Sequence, residues 1–316
     1  MSWRLTHVVW IVPVLLSGCF DDADVAWVID TGAVPQQLDA GSVGTSGVLE
    51  PEPIDEYFVG GGELAEKSST FVVQQLIFSG ELEPGVAWGF DLDGVTTPDN
   101  AVESCGHGDQ TSPSGEKGID NNFARVWAFA EALIGEQVKA LLQEAINEGR
   151  FLFMIELSDV SDLVQDDDVT VTLFRGMLDP MVSSAGFLLP SQTYRVDNDF
   201  PSSVVRGVEL KDGKLRAGPL QFGVPVEIFD ADFTLQFESG QIELEISEDG
   251  SISGVMGGSL NIGNALEELY NTGAKAEAEL VTPLFESYAD MERVDGVCQS
   301  MSAAIQFTAT TAFLLR

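Results

Sequence analysis

Residues 233–250 read FTLQFESGQIELEISEDG. Phe233, Leu235 and Phe237, then Ile242, Leu244 and Ile246, alternate with Thr234, Gln236, Glu243 and Glu245. A period of two puts the first set on one face of a strand and the second on the other. One face is apolar and the other acidic, as in an antiparallel sheet with water on one side. Glu238-Ser239-Gly240 and Glu248-Asp249-Gly250, with Lys211-Asp212-Gly213-Lys214 upstream, carry turn residues at hairpin spacing and predict a meander. No helical period interrupts residues 193–262.

Strand patterns continue on both sides of this core. Residues 71–78, 151–157 and 169–174 are apolar and β-branched, with an acidic turn expected at Asp166-Asp167-Asp168. In residues 86–93, Val86, Trp88, Phe90 and Leu92 alternate with Ala87, Gly89, Asp91 and Asp93, which predicts another strand and leaves both aspartates on one face. Met301, Ala303, Ile305, Phe307 and Ala309 alternate as a final strand. Residues 121–148 have a different period. Phe123, Val126, Trp127, Ala130, Leu133, Ile134, Val138, Leu141, Leu142 and Ala145 recur at three- and four-residue steps, which predicts an amphipathic helix. Asp120 or Asn121 caps its start and Gly149 suits its stop. Residues 264–291 return to helix, broken at Gly273 and kinked at Pro283. The expected class is α+β and mostly β: a curved antiparallel sheet, sandwich or partial barrel, with one long helix packed on it and a kinked helix near the C-terminus.

The 316 residues carry 15 Lys and Arg against 51 Asp and Glu, a net charge of −36. Phosphate backbones and bare anionic lipid repel such a chain, so nucleic acid is not an expected partner. Arg4 and His7 precede nine apolar residues, 8–16, interrupted by Pro13. A spanning helix needs about 20 apolar residues, so residues 1–18 read as a secretory signal peptide. The next stretch, Leu16-Ser17-Gly18-Cys19, resembles the lipobox of bacterial lipoproteins at all four positions. The resemblance implies diacylglycerol on the Cys19 thiol, cleavage that leaves Cys19 first, and the membrane as partner through the lipid. Phe20 stands where some Gram-negative lipoproteins retained at the inner membrane have Asp, which points to the outer membrane, with the head facing the periplasm or the exterior. Residues 20–66 hold eleven acidic residues and no Lys or Arg, and they read as a flexible, self-repelling tether over 19–66. Lys67 opens a single β-rich domain over 67–316.

With Cys19 lipidated, Cys105 and Cys298 remain, and export to an oxidising compartment predicts a bridge between them. It would close a loop of 298 − 105 = 193 residues, worth about 5 kcal/mol in the chain-entropy account. A nucleophilic Cys105 beside His107 is the functional alternative, without an evident activating third group.

Asp91 and Asp93 lie in Phe90-Asp91-Leu92-Asp93-Gly94-Val95, which resembles motif I of haloacid-dehalogenase-like phosphatases. That resemblance implies Asp91 as phosphoryl acceptor, Asp93 as general acid and magnesium as cofactor, with Ser158 passing as the second motif. It covers about six residues, and the family's parallel sheet does not fit the 193–262 meander. A divalent-cation site is the other reading. Asp91, Asp93, Asp99, Asp109, Asp120, Asn121 and Asn122 offer hard oxygen ligands, and Asp-x-Asp-Gly commonly opens calcium loops. The full EF-hand spacing is absent. The candidate metal ligands are Asp91, Asp93, Asp109, Asp120 and Asn121, with calcium as cofactor and no catalytic residue assigned. The mature chain also resembles predicted lipoproteins of unassigned function that share the Phe-Asp-Leu-Asp-Gly and Gly118-Ile119-Asp120-Asn121 stretches.

No Gly-x-Ser-x-Gly elbow, Walker A or Rossmann fingerprint occurs. The preferred reading is a membrane-anchored, non-enzymatic lipoprotein with an acidic binding or structural head that takes up calcium. A phosphohydrolase and a carrier of an apolar ligand, held between sheet and long helix, are the alternatives.

Overall fold

The computed structural model describes residues 68–228 and 231–315. The expected signal peptide, Cys19 and the tether lie outside the described residues. In chain order the elements are β1 (Ser69–Ile77), β2 (Gln110–Thr111), β3 (Lys117–Ile119), α1 (Asn122–Asn147), β4 (Leu152–Ser158), β5 (Gln165–Met177), β6 (Gln192–Val196), β7 (Ser203–Lys211), β8 (Lys214–Ile228), β9 (Ala231–Ile246), β10 (Ile252–Asn261), α2 (Ile262–Asn271), α3 (Lys275–Tyr288), β11 (Met291–Val294) and β12 (Val297–Leu315).

Alternation builds the sheet as expected. Ile305 pairs with Met256, Met256 with Ile242, and Ile242 with Ala217, so one apolar row crosses four strands. All four are buried. On the opposite face Glu245 and Lys214 meet at 3.1 Å in solvent. Hydrogen-bonded neighbours run β1–β4–β5–β7–β8–β9–β10–β12 and return to β1. Each of these pairs is antiparallel, and the sheet curls partly into a ring, the partial-barrel form of the expected class. Among the strand pairs of the described residues, β6 on β12 is parallel. The weakest seam is β7–β8, paired at Leu210↔Leu215 and Lys211↔Lys214 beside the hairpin turn.

Two expected turns and one expected strand take other forms. Glu238-Ser239-Gly240 lies inside β9, where register shifts occur against both β8 and β10. Ser239 has φ +50°, and a Cβ on Gly240 would stand 2.8 Å from the Phe222 ring. Bulges and turns draw on the same residues, so composition alone could not separate them. Asp166-Asp167-Asp168 is likewise within β5, beside a register shift against β7. The Asp166 carboxylate accepts the Ser161 N–H at 2.7 Å, which places the turn before the strand. Residues 86–93 form no strand. They make isolated bridges, Val86 to Thr111 and Phe90 to Asp120.

Asn121 caps α1: its side-chain oxygen accepts the Ala124 N–H at 3.1 Å. Gly149, at φ +74°, follows the helix end, and a Cβ there would meet the Leu178 carbonyl at 2.4 Å. Val126, Trp127, Val138, Leu142 and Ile146 join the core shared with the sheet. α2 and α3 separate at Gly273, and Pro283 lies inside α3. No helix among the described residues is long and apolar enough to cross a membrane.

Gly254 illustrates how closely β9, β10 and β12 approach. A Cβ there would lie 2.3 Å from the Glu243 carbonyl oxygen and 2.7 Å from the Phe307 ring. Gly254→Ala should therefore destabilise the fold by about 1–3 kcal/mol, measured as the shift in urea midpoint at constant m-value.

Candidate metal centre

Strand β12 is buried without a break from Ser300 to Ile305, so its outward side is covered as well as its inward one. The cover is the segment between β1 and α1. The Asn122 N–H donates to Ser302 Oγ at 2.9 Å, and the Ala304 N–H donates to Asn121 Oδ1 at 3.3 Å. Phe90, flanked by Trp88 and Leu92, packs on Val255 and Ala304. The Arg216 guanidinium stands 4.8 Å from the centre of the Phe90 ring. The apolar members of Phe90-Asp91-Leu92-Asp93-Gly94 thus seat the loop on the outer face of the sheet.

Residues 90–94 and 118–121 meet here. The Asp120 N–H donates to the Phe90 carbonyl at 2.8 Å, and Asp120 Oδ2 accepts the Leu92 N–H at 2.7 Å. Asp91 and Asp93 each accept a backbone N–H just downstream, from Gly94 at 2.7 Å and Val95 at 2.8 Å. These short local bonds hold the aspartates in turn conformations. Gly118, at φ +81°, leaves room for Asp91: a Cβ would sit 3.3 Å from its Oδ2.

One carboxylate oxygen each of Asp91, Asp93 and Asp120 lies within 4.8 Å of the others. Ligand oxygens on a calcium ion sit 2.3–2.6 Å from it, so oxygens on opposite sides of one ion are about 5 Å apart. The triad therefore fits one shell, with further positions left for carbonyls or water. Asp109 adjoins the group, accepting the Thr97 N–H at 2.5 Å and a hydrogen bond from Asp120. Asn121 does not converge with the set. Its side-chain oxygen serves Ala124 and Ala304, and its Nδ2 donates to the Trp88 carbonyl at 2.6 Å. It is the cap and the rivet to β12. Asn122 is used in the same way, donating to the Tyr288 carbonyl at 3.1 Å.

Among the described residues no Lys or Arg forms an ion pair with Asp91, Asp93, Asp109 or Asp120. Arg216 is spent on Glu116 and Gln241. Burial, joined by the charges of Asp93, Asp109 and Asp290, pushes the Asp120 carboxyl up to about 8 against the Leu92 hydrogen bond. Burial also raises Asp109, with Asp93 and Asp91 adding repulsion. Asp290 was not visible as a site residue in the sequence. It lies just after α3 and accepts the Ser302 N–H at 2.8 Å. Burial raises it to about 6, opposed by Ser302 and by the Arg125 charge. Its proximity to Asp120 depends on the β12 pairing, which no local pattern signals.

The expected Cys105–Cys298 bridge is formed, with Cα atoms 6.1 Å apart, and it ties this segment to the start of β12. Cys105 therefore offers no thiolate. His107 stacks on Tyr288, its Nε2 2.9 Å from the Ser287 carbonyl. Asp91 sits in a loop on an antiparallel sheet, away from the parallel core that the phosphatase resemblance implies.

The raised Asp120 fixes a sign. Its ordinary value is 3.8 and folding lifts it to about 8. Between the two, the unfolded chain has lost a proton that the folded chain keeps, so stability falls as pH rises through that window. In chelator, Asp120→Asn should melt above the wild type at pH 8, and the difference should shrink toward pH 4. Parallel thermal scans of both proteins across this range check it.

Comparison with family models, with curated proteins and with solved structures finds no match to this chain.

Proposed function

We propose that the protein is a lipid-anchored, non-enzymatic envelope protein whose acidic β-rich head binds a hard divalent cation, calcium foremost, at Asp91, Asp93 and Asp120. The observation that carries the cation reading is the approach of three carboxylate oxygens to within 4.8 Å without a cationic side chain paired to them among the described residues. Like charges held this close repel at a cost that either a proton or a metal ion removes. Oxygen-only donors favour calcium or magnesium over softer metals. The ion's place is structural: it would bind Asp91 and Asp93 of the stretch 90–94 to Asp120 of the stretch 118–121. Asp109 is within reach as a further ligand or as a proton partner of Asp120. Anchoring rests on the Leu16-Ser17-Gly18-Cys19 lipobox, and the outer membrane on Phe20. The acyl chains hold the protein to the membrane, while the acidic tether and head are repelled by its anionic surface.

Calcium should raise the melting midpoint of the full chain at pH 7.5, by an amount that grows with the logarithm of its concentration. At a hundredfold excess over Kd the added stability is about 2.7 kcal/mol. Asp93→Asn should abolish the shift. A midpoint unchanged at millimolar calcium discards the cation reading. Metabolic fatty-acid labelling tests the anchor separately: the wild type should carry label and Cys19→Ser should not.

A further inference from the structure

Where β7 and β8 part beyond their hairpin, the ring opens on a cavity of about 150 Å³. Its floor is aromatic. Phe151, Phe153, Phe174 and Phe222 line it, each of them buried. Phe153 meets Phe222 edge to face at 6.0 Å, and Phe222 stacks on Phe237 at 4.8 Å. The two strands are joined here by a side chain in place of a ladder bond, the Gln221 N–H donating to Ser203 Oγ at 3.0 Å. None of the lining residues belongs to α1, so this is a different space from one between sheet and helix.

A cavity of this size has room for one benzene-sized ring, and here its apolar floor is joined by a polar rim that includes Ser202, Ser203, Gln221 and Gln236. Ring edges and faces already arranged at 5–6 Å favour another aromatic ring over an aliphatic one. Among the described residues the one cation lining it is Arg175, whose guanidinium lies 4.0 Å from the centre of the Phe200 ring. Its Nη2 donates to the Arg150 carbonyl, its Nε is 3.9 Å from the Asp197 carboxylate, and Nη1 has no partner among the described residues. Asp197 already offsets the charge of Arg175, and the whole chain carries −36. A neutral acceptor is therefore favoured over an anion at this donor.

We propose that the cleft between β7 and β8 binds a small neutral aromatic molecule, one ring wide, with the ring on the phenylalanine floor and a hydrogen-bond-accepting substituent toward Arg175. This site is independent of the cation site and of the lipid anchor.

Saturation-transfer NMR on the full chain tests it with three probes: benzyl alcohol, cyclohexylmethanol and benzoate. Benzyl alcohol should bind saturably, about three- to tenfold tighter than cyclohexylmethanol, the range expected for ring–ring contacts. Benzoate should bind more weakly than benzyl alcohol. Gln236→Trp and Ser202→Trp place a large side chain at exposed lining positions, one in β9 and one just before β7, and each should abolish saturable binding while leaving the melting midpoint near the wild-type value. Absence of saturable binding to the wild type overturns the proposal. So does retention of benzyl alcohol binding in both folded variants, or tighter binding of benzoate.

Discussion

Strand β12 has no side facing water over Ser300–Ile305, and the architecture is arranged around that fact. Its inward residues, Met301, Ala303 and Ile305, lie against Leu260, Gly258 and Met256 of β10 and help close the ring. Its outward residues are small: Ser302 and Ala304 let backbone approach closely enough for Asn121 and Asn122 to be bolted to them. β1, β6, β10 and β11 all pair with β12. The disulfide is attached at its first turn of chain, through Cys298. A residue of ordinary size at Ser302 or Ala304 would displace the segment that carries the aspartates.

Covering that outer face with an acidic loop has an electrostatic cost. Asp91, Asp93 and Asp120 converge, with Asp109 adjoining them and the Asp290 charge acting on Asp120, and Arg125 bonds to Glu81, Asn122 and the Gly108 carbonyl in place of the cluster. The raised values of Asp120 and Asp109, set by burial first and by neighbouring carboxylates after it, are the mark of that cost. Two substances can relieve it, protons and hard cations, and they compete for the same oxygens. On the cation reading proposed above, affinity would rise with pH, because Asp120 would have to give up its proton to ligate.

Much of the fold was legible because strict periods leave few alternatives. The alternation around Leu235–Ile246 is a sheet with one wet face. The 3.6-residue period over residues 121–148 is α1, with the expected cap at Asn121. Residues 86–93 misled because an apolar alternation can also seat a loop on a neighbouring sheet: Phe90 and Leu92 face β10 and β12, while no strand pairs with their backbone. Ser239 and Asp166–Asp168 misled because bulges and strand starts use turn chemistry. Asp91, Asp93 and Asp120 were legible through their type and through Gly94 and Gly118. Asn121 was read as a ligand for its hard oxygen, whereas its side chain donates to the Trp88 carbonyl and accepts the Ala304 N–H, a pairing that spacing does not reveal. The cleft at β7–β8 depends on where a ladder stops, and no residue type marks it.

The position of β12 in chain order also constrains assembly. Every strand it pairs with precedes it, and Thr70, near the start of the described domain, finds its partner at Ala312. The ring therefore has no central stave until nearly the whole domain has been synthesised. Before then β1 and β10 expose edges that seek pairing, a hazard for a chain of such high contact order. The same delay leaves the nascent polypeptide without its closing strand until the last residues of the domain have been made.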